Sequence, residues 1–339
     1  MSELRFSVIV PVHNGAETLR ECLSALTNQT IDPGEYEVIV IDDGSTDSTP
    51  DIAAEFPVRL VRLEQNIGRL AARARGAREA ACEKLVFCDS RVICEPDVLE
   101  TIAATDRWPL MYGSDFPEEQ QASLMGRFFF CVYRRLWKPV YPQEWYADEA
   151  PVTADNFDRM PKGLGLFVTQ RDFFLRHQPE RQDRHVSDDT LLLSSMVRER
   201  PVIRYAAMKC HYRQRTDLRS VLPHVHFRGV LFNSYYLRPG RRFFGLYRCM
   251  WALMAACAAF VAWRPEAWWV VAAGVGAAWI GASAYLATGV RNFFAVLVAL
   301  PLVASAFATG IIRGHLIDLK EWLRVRPAGG GPSRLRQAL

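Results

Sequence analysis

VIVPVHNGAETL, residues 8–19, and VIVIDDGSTDST, residues 38–49, are the stretches on which the fold turns. Val8–Val12 and Val38–Ile41 are nearly continuous β-branched runs, the pattern of strands buried on both faces. Each ends in a short polar loop and then a helix signal. In the second, Asp-Ser-Thr-Pro at 47–50 places Pro early in the helix, where it is tolerated. Strand and helix signals alternate on to about residue 104, with strands at 6–12, 37–41, 59–63 and 84–88 and helices near 17–29, 49–55, 68–83 and 96–104. Such alternation predicts an α/β domain with a mostly parallel sheet and helices on both faces. The polar loops then gather at the carboxyl ends of neighbouring strands, the edge where open α/β sheets bind ligands. Asp42 and Asp43 at that edge suit ribose hydroxyls, base N–H groups or a metal. The plainer alternative is that Asp-Asp-Gly-Ser caps a turn.

Four further segments carry chemistry-bearing residues. NIGRLAARARGAREA spans Asn66 to Ala80, and KLVFCDSR ends a strand at Asp89-Ser90-Arg91. PKGLGLFVTQ opens with Gly163 and Gly165, and VSDDTLLLSSM places Asp188 and Asp189 at the start of an apolar helix. Together with Pro11 to Asn14 (PVHN) and Asp42 to Thr49 (DDGSTDST), these segments resemble the family 2 glycosyltransferases of GT-A fold. The likeness covers about the first hundred residues well and continues more weakly to about residue 230.

The resemblance implies an inverting transfer of a sugar from a nucleotide-sugar, most commonly a UDP-sugar, in one displacement with one carboxylate as base. It assigns Pro11, Asn14, Asp42 and Asp43 to base and ribose, Arg73 to phosphate or base, and Asp89 to the donor. It assigns Asp189 to the base and Asp188 to the acid before it. Capping is the alternative for the helix-start aspartates, and an exposed position on an Arg-rich helix is the alternative for Arg73. Gly163 and Gly165 would form the acceptor-side wall, or an ordinary turn. Arg215 would close over the diphosphate. The QxxRW motif of processive synthases is absent, which favours addition of one sugar.

One departure bears on the cofactor. Relatives end this strand in DxD, whose last Asp holds Mn²⁺ or Mg²⁺ through carboxylate oxygens and phosphates. Here Arg91 stands in that place. Three readings follow: Arg91 itself neutralises the diphosphate, a metal is held by Asp89 with another ligand such as His211, or catalysis is lost. The third belongs to a competing reading, a non-catalytic nucleotide-sugar-binding scaffold subunit of a membrane glycan assembly.

Bulk composition narrows the setting. The chain has 339 residues, a net charge of +4 and 50% hydrophobic residues. The charge is too modest to argue for nucleic acid. Eight cysteines form no CxxC pair and no zinc spacing, which predicts reduced, buried thiols in a cytoplasmic domain. The N-terminus enters the first strand without a signal-peptide pattern.

The apolar excess lies after residue 242. Residues 267–290 and 292–312 are charge-free and long enough to cross a bilayer, whereas 249–263 is charge-free for only 15 residues. The expected organisation is a GT-A domain over 1–235 (a nucleotide-binding half, 1–104, and an acceptor half, 105–235), a membrane region of two or three helices over 243–313, and a basic tail over 314–339. Arg238, Arg241, Arg242 and Arg248 before the apolar region and Arg313, Lys320, Arg324 and Arg326 after it prefer the cytoplasm, which favours two crossings over three. The expected location is the inner cell membrane, multi-pass, with the catalytic domain cytoplasmic and a lipid-linked or membrane-proximal acceptor. The basic aromatic segment 124–140 reads either as a membrane-surface helix or as a helix with an aromatic core face.

Overall fold

A computed structural model describes residues 3–115, 122–137, 149–179 and 188–325. In chain order the strands are β1 (Phe6–Val12), β2 (Tyr36–Asp42), β3 (Arg59–Arg62), β4 (Lys84–Cys88), β5 (Val92–Cys94), β6 (Leu110–Asp115), β7 (Ala150–Val152), β8 (Leu166–Gln170) and β9 (Val202–Tyr212). The helices are α1 (Ala16–Thr27), α2 (Thr49–Ala54), α3 (Arg69–Glu79), α4 (Val98–Ala103), α5 (Leu124–Trp137), α6 (Arg171–Arg176), α7 (Asp188–Glu199), α8 (Leu218–Tyr235), α9 (Phe244–Trp263), α10 (Trp268–Leu286) and α11 (Val290–Val325). They form two compact units. One takes Met1–Gln120, Arg134–Arg184 and Asp188–Gln214, and the other takes Gln121–Tyr133, His185–Ser187 and Arg215–Leu339, as far as described.

The first unit is built on one sheet in the order β3-β2-β1-β4-β8-β6-β9-β5, with β7 paired to β9. β3, β2, β1 and β4 run parallel, as the alternating signals predict. Beyond β4 the sheet is mixed: β8 is antiparallel to β4 and β6, β6 is parallel to β9, and β5 is antiparallel to β9. β1 is buried along its whole length, as its β-branched run requires. On α1, Leu19, Cys22, Leu23 and Leu26 are buried at the i, i+3, i+4, i+7 positions of one helix face. α3 lies close on the sheet because a Cβ on Gly76 would come within 2.4 Å of Ile9 Cγ2. α3 ends at Glu79, short of the predicted 83. The amides of Ala81 and Cys82 leave the helix to bond Glu37 (2.6 Å) and Ser7 Oγ (3.1 Å).

All eight cysteines are free thiols, six of them buried. Mutual hydrogen bonding with Cys22 and Cys94, together with burial, pushes the Cys88 thiol well above its usual range. Such thiols behave as small apolar core groups.

In the second unit, Met125, Phe128 and Cys131 of α5 pack with Val221 and Val225 of α8 and Val296 and Ala299 of α11. The apolar face of α5 is thereby covered, in agreement with the core-face reading. α8 crosses α11 at backbone contact. A Cβ on Gly310 would lie 2.0 Å from the His226 carbonyl oxygen, and one on Gly229 would lie 2.2 Å from that of Phe307. Gly310→Ala is expected to cost about 1–3 kcal/mol by forcing the helices apart, read as a lower thermal midpoint of the detergent-solubilised chain. α11 runs on through residues 314–325, where the sequence suggests a tail. Asp318 on this extension accepts Asn233 Nδ2 (2.8 Å) and Arg238 Nη2 (2.9 Å), which anchors it to α8 and to the turn after it. Among the described residues, α9, α10 with its preceding turn, and Val290–Lys320 of α11 are each long and apolar enough to cross a membrane.

Candidate functional site

The PVHN and DDGSTDST segments meet because Val12 and Asp42 are register partners at the ends of two parallel strands. The loops then bond each other. Asp43 N donates to Val12 O (2.8 Å), and His13 Nδ1 bonds Asp43 O (2.8 Å). Asn14 N donates to Ser45 Oγ (2.9 Å), and Asn14 Oδ1 accepts Thr46 N (2.8 Å). Asn14 has φ +48°, a left-handed conformation that Asn tolerates. Pro11 is internal to β1, opposite Ile41.

The two adjacent aspartates have different partners. Asp42 is buried, accepts Ser45 N at 3.0 Å and faces Arg62 Nε at 3.3 Å. Asp43 accepts Ile67 N (2.7 Å) and Gly68 N (3.0 Å), one on each oxygen. It therefore clamps the Asn66-Ile67-Gly68 turn that leads into α3. Gly44, at φ +67°, leaves no room for a Cβ beside the Gln65–Asn66 backbone, so the turn and the clamp are shaped together. Asp43→Ala is expected to cost about 1–3 kcal/mol by leaving two amides unpaired, read by chemical denaturation.

The centre of the site is Arg73, whose side chain is fully buried. Nη1 pairs with Asp189 Oδ1 at 2.6 Å, Nη2 pairs with Asp89 Oδ1 at 2.6 Å, and Nη2 also faces the Leu164 carbonyl at 3.4 Å. Arg69, one turn earlier on α3, approaches Asp189 Oδ2 at 3.6 Å. One rigid guanidinium fork thus joins the end of β4, the start of α7 and the Gly163–Gly165 segment, which suits arginine and not lysine. The exposed-face alternative for Arg73 is excluded: Ala72, Gly76 and Ala77 are buried with it, and a buried charge needs partners.

Gly165 contributes through its size and its carbonyl. Its oxygen accepts Asp89 N at 2.7 Å, and a Cβ there would meet Tyr112 Oη at 2.8 Å. Tyr112 is half-buried, and the burial of its phenol pushes the hydroxyl well above the usual range, so it stays neutral. Gly163 has only ordinary contact with the same ring.

Arg91 Nε donates to Arg213 O (2.8 Å) while Arg213 N donates to Arg91 O (2.8 Å), fixing the Asp-Ser-Arg turn to the end of β9. Ser90 lies beside Gly15, where a Cβ would sit 3.5 Å from Ser90 Oγ. The two candidate metal ligands do not share a partner: Asp89 pairs with Arg73, and His211 bonds Glu95 at 2.6 Å. Among the described residues no three His, Cys, Asp or Glu side chains form a metal-holding group. A single carboxylate already bound to a guanidinium, followed by Arg91, does not make the oxygen-rich donor set that Mn²⁺ or Mg²⁺ takes. Asp188 opens α7, with its side chain outside the described residues. Arg215 falls in the second unit.

Sequence reasoning did not pick out Arg69, Arg62 or the Leu164 carbonyl. The i,i+4 pair Arg69/Arg73 next to Gly76 on the small-residue face of α3 was the signal available for the first of them.

Comparison with known proteins bears on the family and the fold. Residues 7–107 match the family model described as Glycosyl transferase family 2. Glycosyltransferase AglE of Haloferax volcanii is 40% identical over 95 residues, 26% of this chain and 31% of that protein. Validoxylamine A glucosyltransferase of Streptomyces hygroscopicus subsp. limoneus is 35% identical over 108 residues, 30% of this chain and 24% of that protein. The match thus spans less than a third of either relative. The mannosyltransferase PcManGT of Pyrobaculum calidifontis, solved with GDP-Man and Mn²⁺, superposes with a TM-score of 0.59 at 18% identity, over 91% of this chain and 86% of that one, and so shares the fold. The chain therefore carries a family 2 glycosyltransferase domain of GT-A fold, with its matched segment running from β1 to just past α4.

Proposed function

We propose that the chain is a membrane-attached glycosyltransferase that moves one sugar from a nucleotide-sugar to a lipid-linked or membrane-proximal acceptor, with inversion. The observation that carries the reading is the Arg73 clasp. It brings Asp89, from the donor-side strand end, and Asp189, from the acceptor-side helix start, onto one guanidinium at the ligand-binding edge of the sheet. A fixed carboxylate facing the acceptor is what general-base catalysis needs. The GDP-Man complex of the similar mannosyltransferase supports a nucleotide-sugar donor. The apolar helices of the same chain support a lipid-borne acceptor.

The reaction is written on this chain's residues. Asp42 and the Pro11–Asn14 loop hold base and ribose. The acceptor hydroxyl oxygen attacks the anomeric carbon and its proton passes to an Asp189 carboxylate oxygen. The bond from anomeric carbon to diphosphate oxygen breaks, and the nucleoside diphosphate leaves with the electron pair. Arg91 supplies fixed positive charge to that leaving group, and Gly163 lets the acceptor approach the backbone. Because the described side chains do not build a metal site, no step is assigned to a metal.

A panel of nucleotide-sugars with the purified full chain and membrane lipid extract, run with Mn²⁺ and with EDTA, tests the reading. One donor is expected to be turned over, with transfer retained in EDTA and reduced in Arg91→Ala. Complete loss in EDTA that Mn²⁺ restores would overturn the metal-independent neutralisation. Binding without transfer or hydrolysis would leave the scaffold reading.

A further inference from the structure

The second unit contains three helices long enough to span a bilayer, yet its own contacts fix where two of their ends lie. Tyr247, at the start of α9, bonds His315 Nε2 at 2.5 Å through its hydroxyl. Arg238, before α9, pairs with Asp318 at 2.9 Å. The chain therefore enters α9 and leaves the end of α11 on the same side of any membrane it meets. Three successive crossings would put Tyr247 and His315 on opposite faces, about 30 Å apart. The number of crossings is even.

The same contacts identify the helix that does not cross. α11 is flanked by α5 and α8, which bury Val296, Ala299 and Gly310 against it. α5 carries Arg127 and α8 carries Arg219 and Arg228, so a perpendicular α11 would draw these arginines towards the hydrocarbon, where each costs about 2.5–3.5 kcal/mol or more. The face of α11 turned away from the packed core is an exposed, mostly apolar stripe of Phe294, Val298, Leu302, Ile312, Leu316 and Leu323, interrupted between Leu302 and Ile312 by the small Ser305 and Thr309. From Phe294 to Leu323 this stripe is about 44 Å long at 1.5 Å per residue, longer than the roughly 30 Å hydrocarbon core. A helix lying along the surface wets such a stripe with lipid over its whole length; a crossing helix leaves Leu316 and Leu323 in water. The charge-free run 292–312 needs no crossing to explain it, because one side of it is packed core.

α9 and α10 have the opposite character. Nothing in the α9 window is buried and only 6% of the α10 window is. The turn between them reads Trp263-Arg264-Pro265-Glu266-Ala267-Trp268-Trp269, with all three tryptophans exposed and Arg264 paired to Glu266 at 3.4 Å. A charge-neutral turn ringed with tryptophan is the chemistry of a membrane–water boundary. The basic residues lie at the other ends: Arg241, Arg242 and Arg248 beside the α9 start, Arg291 after α10, and Arg313 and Lys320 on α11.

We infer that α9 and α10 form the membrane-crossing hairpin, and that α11 lies in the anionic headgroup plane of the cytoplasmic leaflet, its apolar stripe on lipid and α5 and α8 on its other side. The sequence pattern alone points to α10 and α11 as the hairpin; the burial of α11 against two arginine-bearing helices reverses that choice. This inference is independent of the reaction proposed above.

Cysteine accessibility in intact cells making the full chain tests it. The background is Cys249→Ser with Cys257→Ser, the two thiols that are not buried. Single variants Glu266→Cys, Asn292→Cys and Lys320→Cys are then treated with a membrane-impermeant maleimide, with detergent-opened membranes as the labelling control. Position 266 alone is expected to label in intact cells. Labelling of position 292 alone would mean that α10 and α11 cross. Labelling of 266 with 320 would mean three crossings, labelling of 292 with 320 would mean the inverted orientation, and no labelling would mean no crossing; each overturns the proposal. Spin labels replacing Val298, Ile312 and Leu323 in nanodiscs give a second reading. Equal immersion depths are expected, and a monotonic gradient along α11 contradicts the surface placement.

Discussion

Arg73→Ala is expected to abolish sugar transfer and to destabilise the first unit by about 3–5 kcal/mol, the cost of removing one partner of a buried ion-pair cluster. Both effects have one cause. The guanidinium is fully buried between Asp89 and Asp189, whose side chains are only 15% and 21% exposed. Without it, Asp189 keeps the longer contact with Arg69 as counter-charge, and Asp89 loses its partner. Arg73→Lys is expected to recover part of the stability and little of the activity, because one ammonium cannot present two parallel donors to groups from two elements. Chemical denaturation and initial-rate assays on the same preparations separate the two effects. Wild-type activity in Arg73→Lys would mean that the fork geometry is not needed.

Asp189→Asn is expected to lower the transfer rate by about 10²–10⁴, the usual worth of a positioned base, with nucleotide affinity and thermal midpoint close to wild type. The amide keeps the shape and can still accept from Arg73 Nη1 through its oxygen, so the fold is not placed at risk. A rate within a few-fold of wild type, read against the roughly 10²-fold minimum for a base, would remove Asp189 from that role. The contrast with Arg73 is informative: one residue organises the site and carries stability, whereas the other carries chemistry on a frame that survives its loss.

The parallel half of the fold was legible because its signals are local. β1, β2, β3 and β4 lie within a residue of the boundaries read from the β-branched runs, since strands buried on both faces leave no room for polar interruption. The mixed half was less legible. β5 and β7 are three residues each, and their pairing with β9 spans fifty residues or more in either case, so no local period marks them. The membrane unit is hard to read for a related reason: an uninterrupted apolar run looks alike whether lipid or a neighbouring helix covers it, and only packing such as that of Val296, Ala299 and Gly310 distinguishes the two.

The site divided in the same way. Asp42, Asp43, Asp89 and Asp189 stand at strand ends or a helix start, where motif and position coincide. The part played by Arg73 was not readable, because an arginine on an Arg-rich helix reads as solvated. Its partners lie 16 and 116 residues away. Asp43 shows the reverse: its motif position suggests ligand contact, while both of its oxygens are taken by backbone amides. Ligand contact at that edge is therefore best sought from Asp42 and the Asn14 loop.

Transfer of label from a nucleotide-sugar into the lipid phase by the full chain in membranes is the most direct test of the proposed reaction. The predicted result is organic-phase label with wild type, absent with Asp189→Asn although the nucleotide still binds. Nucleotide bound by wild type with label neither transferred nor hydrolysed, across the donor panel, would contradict it.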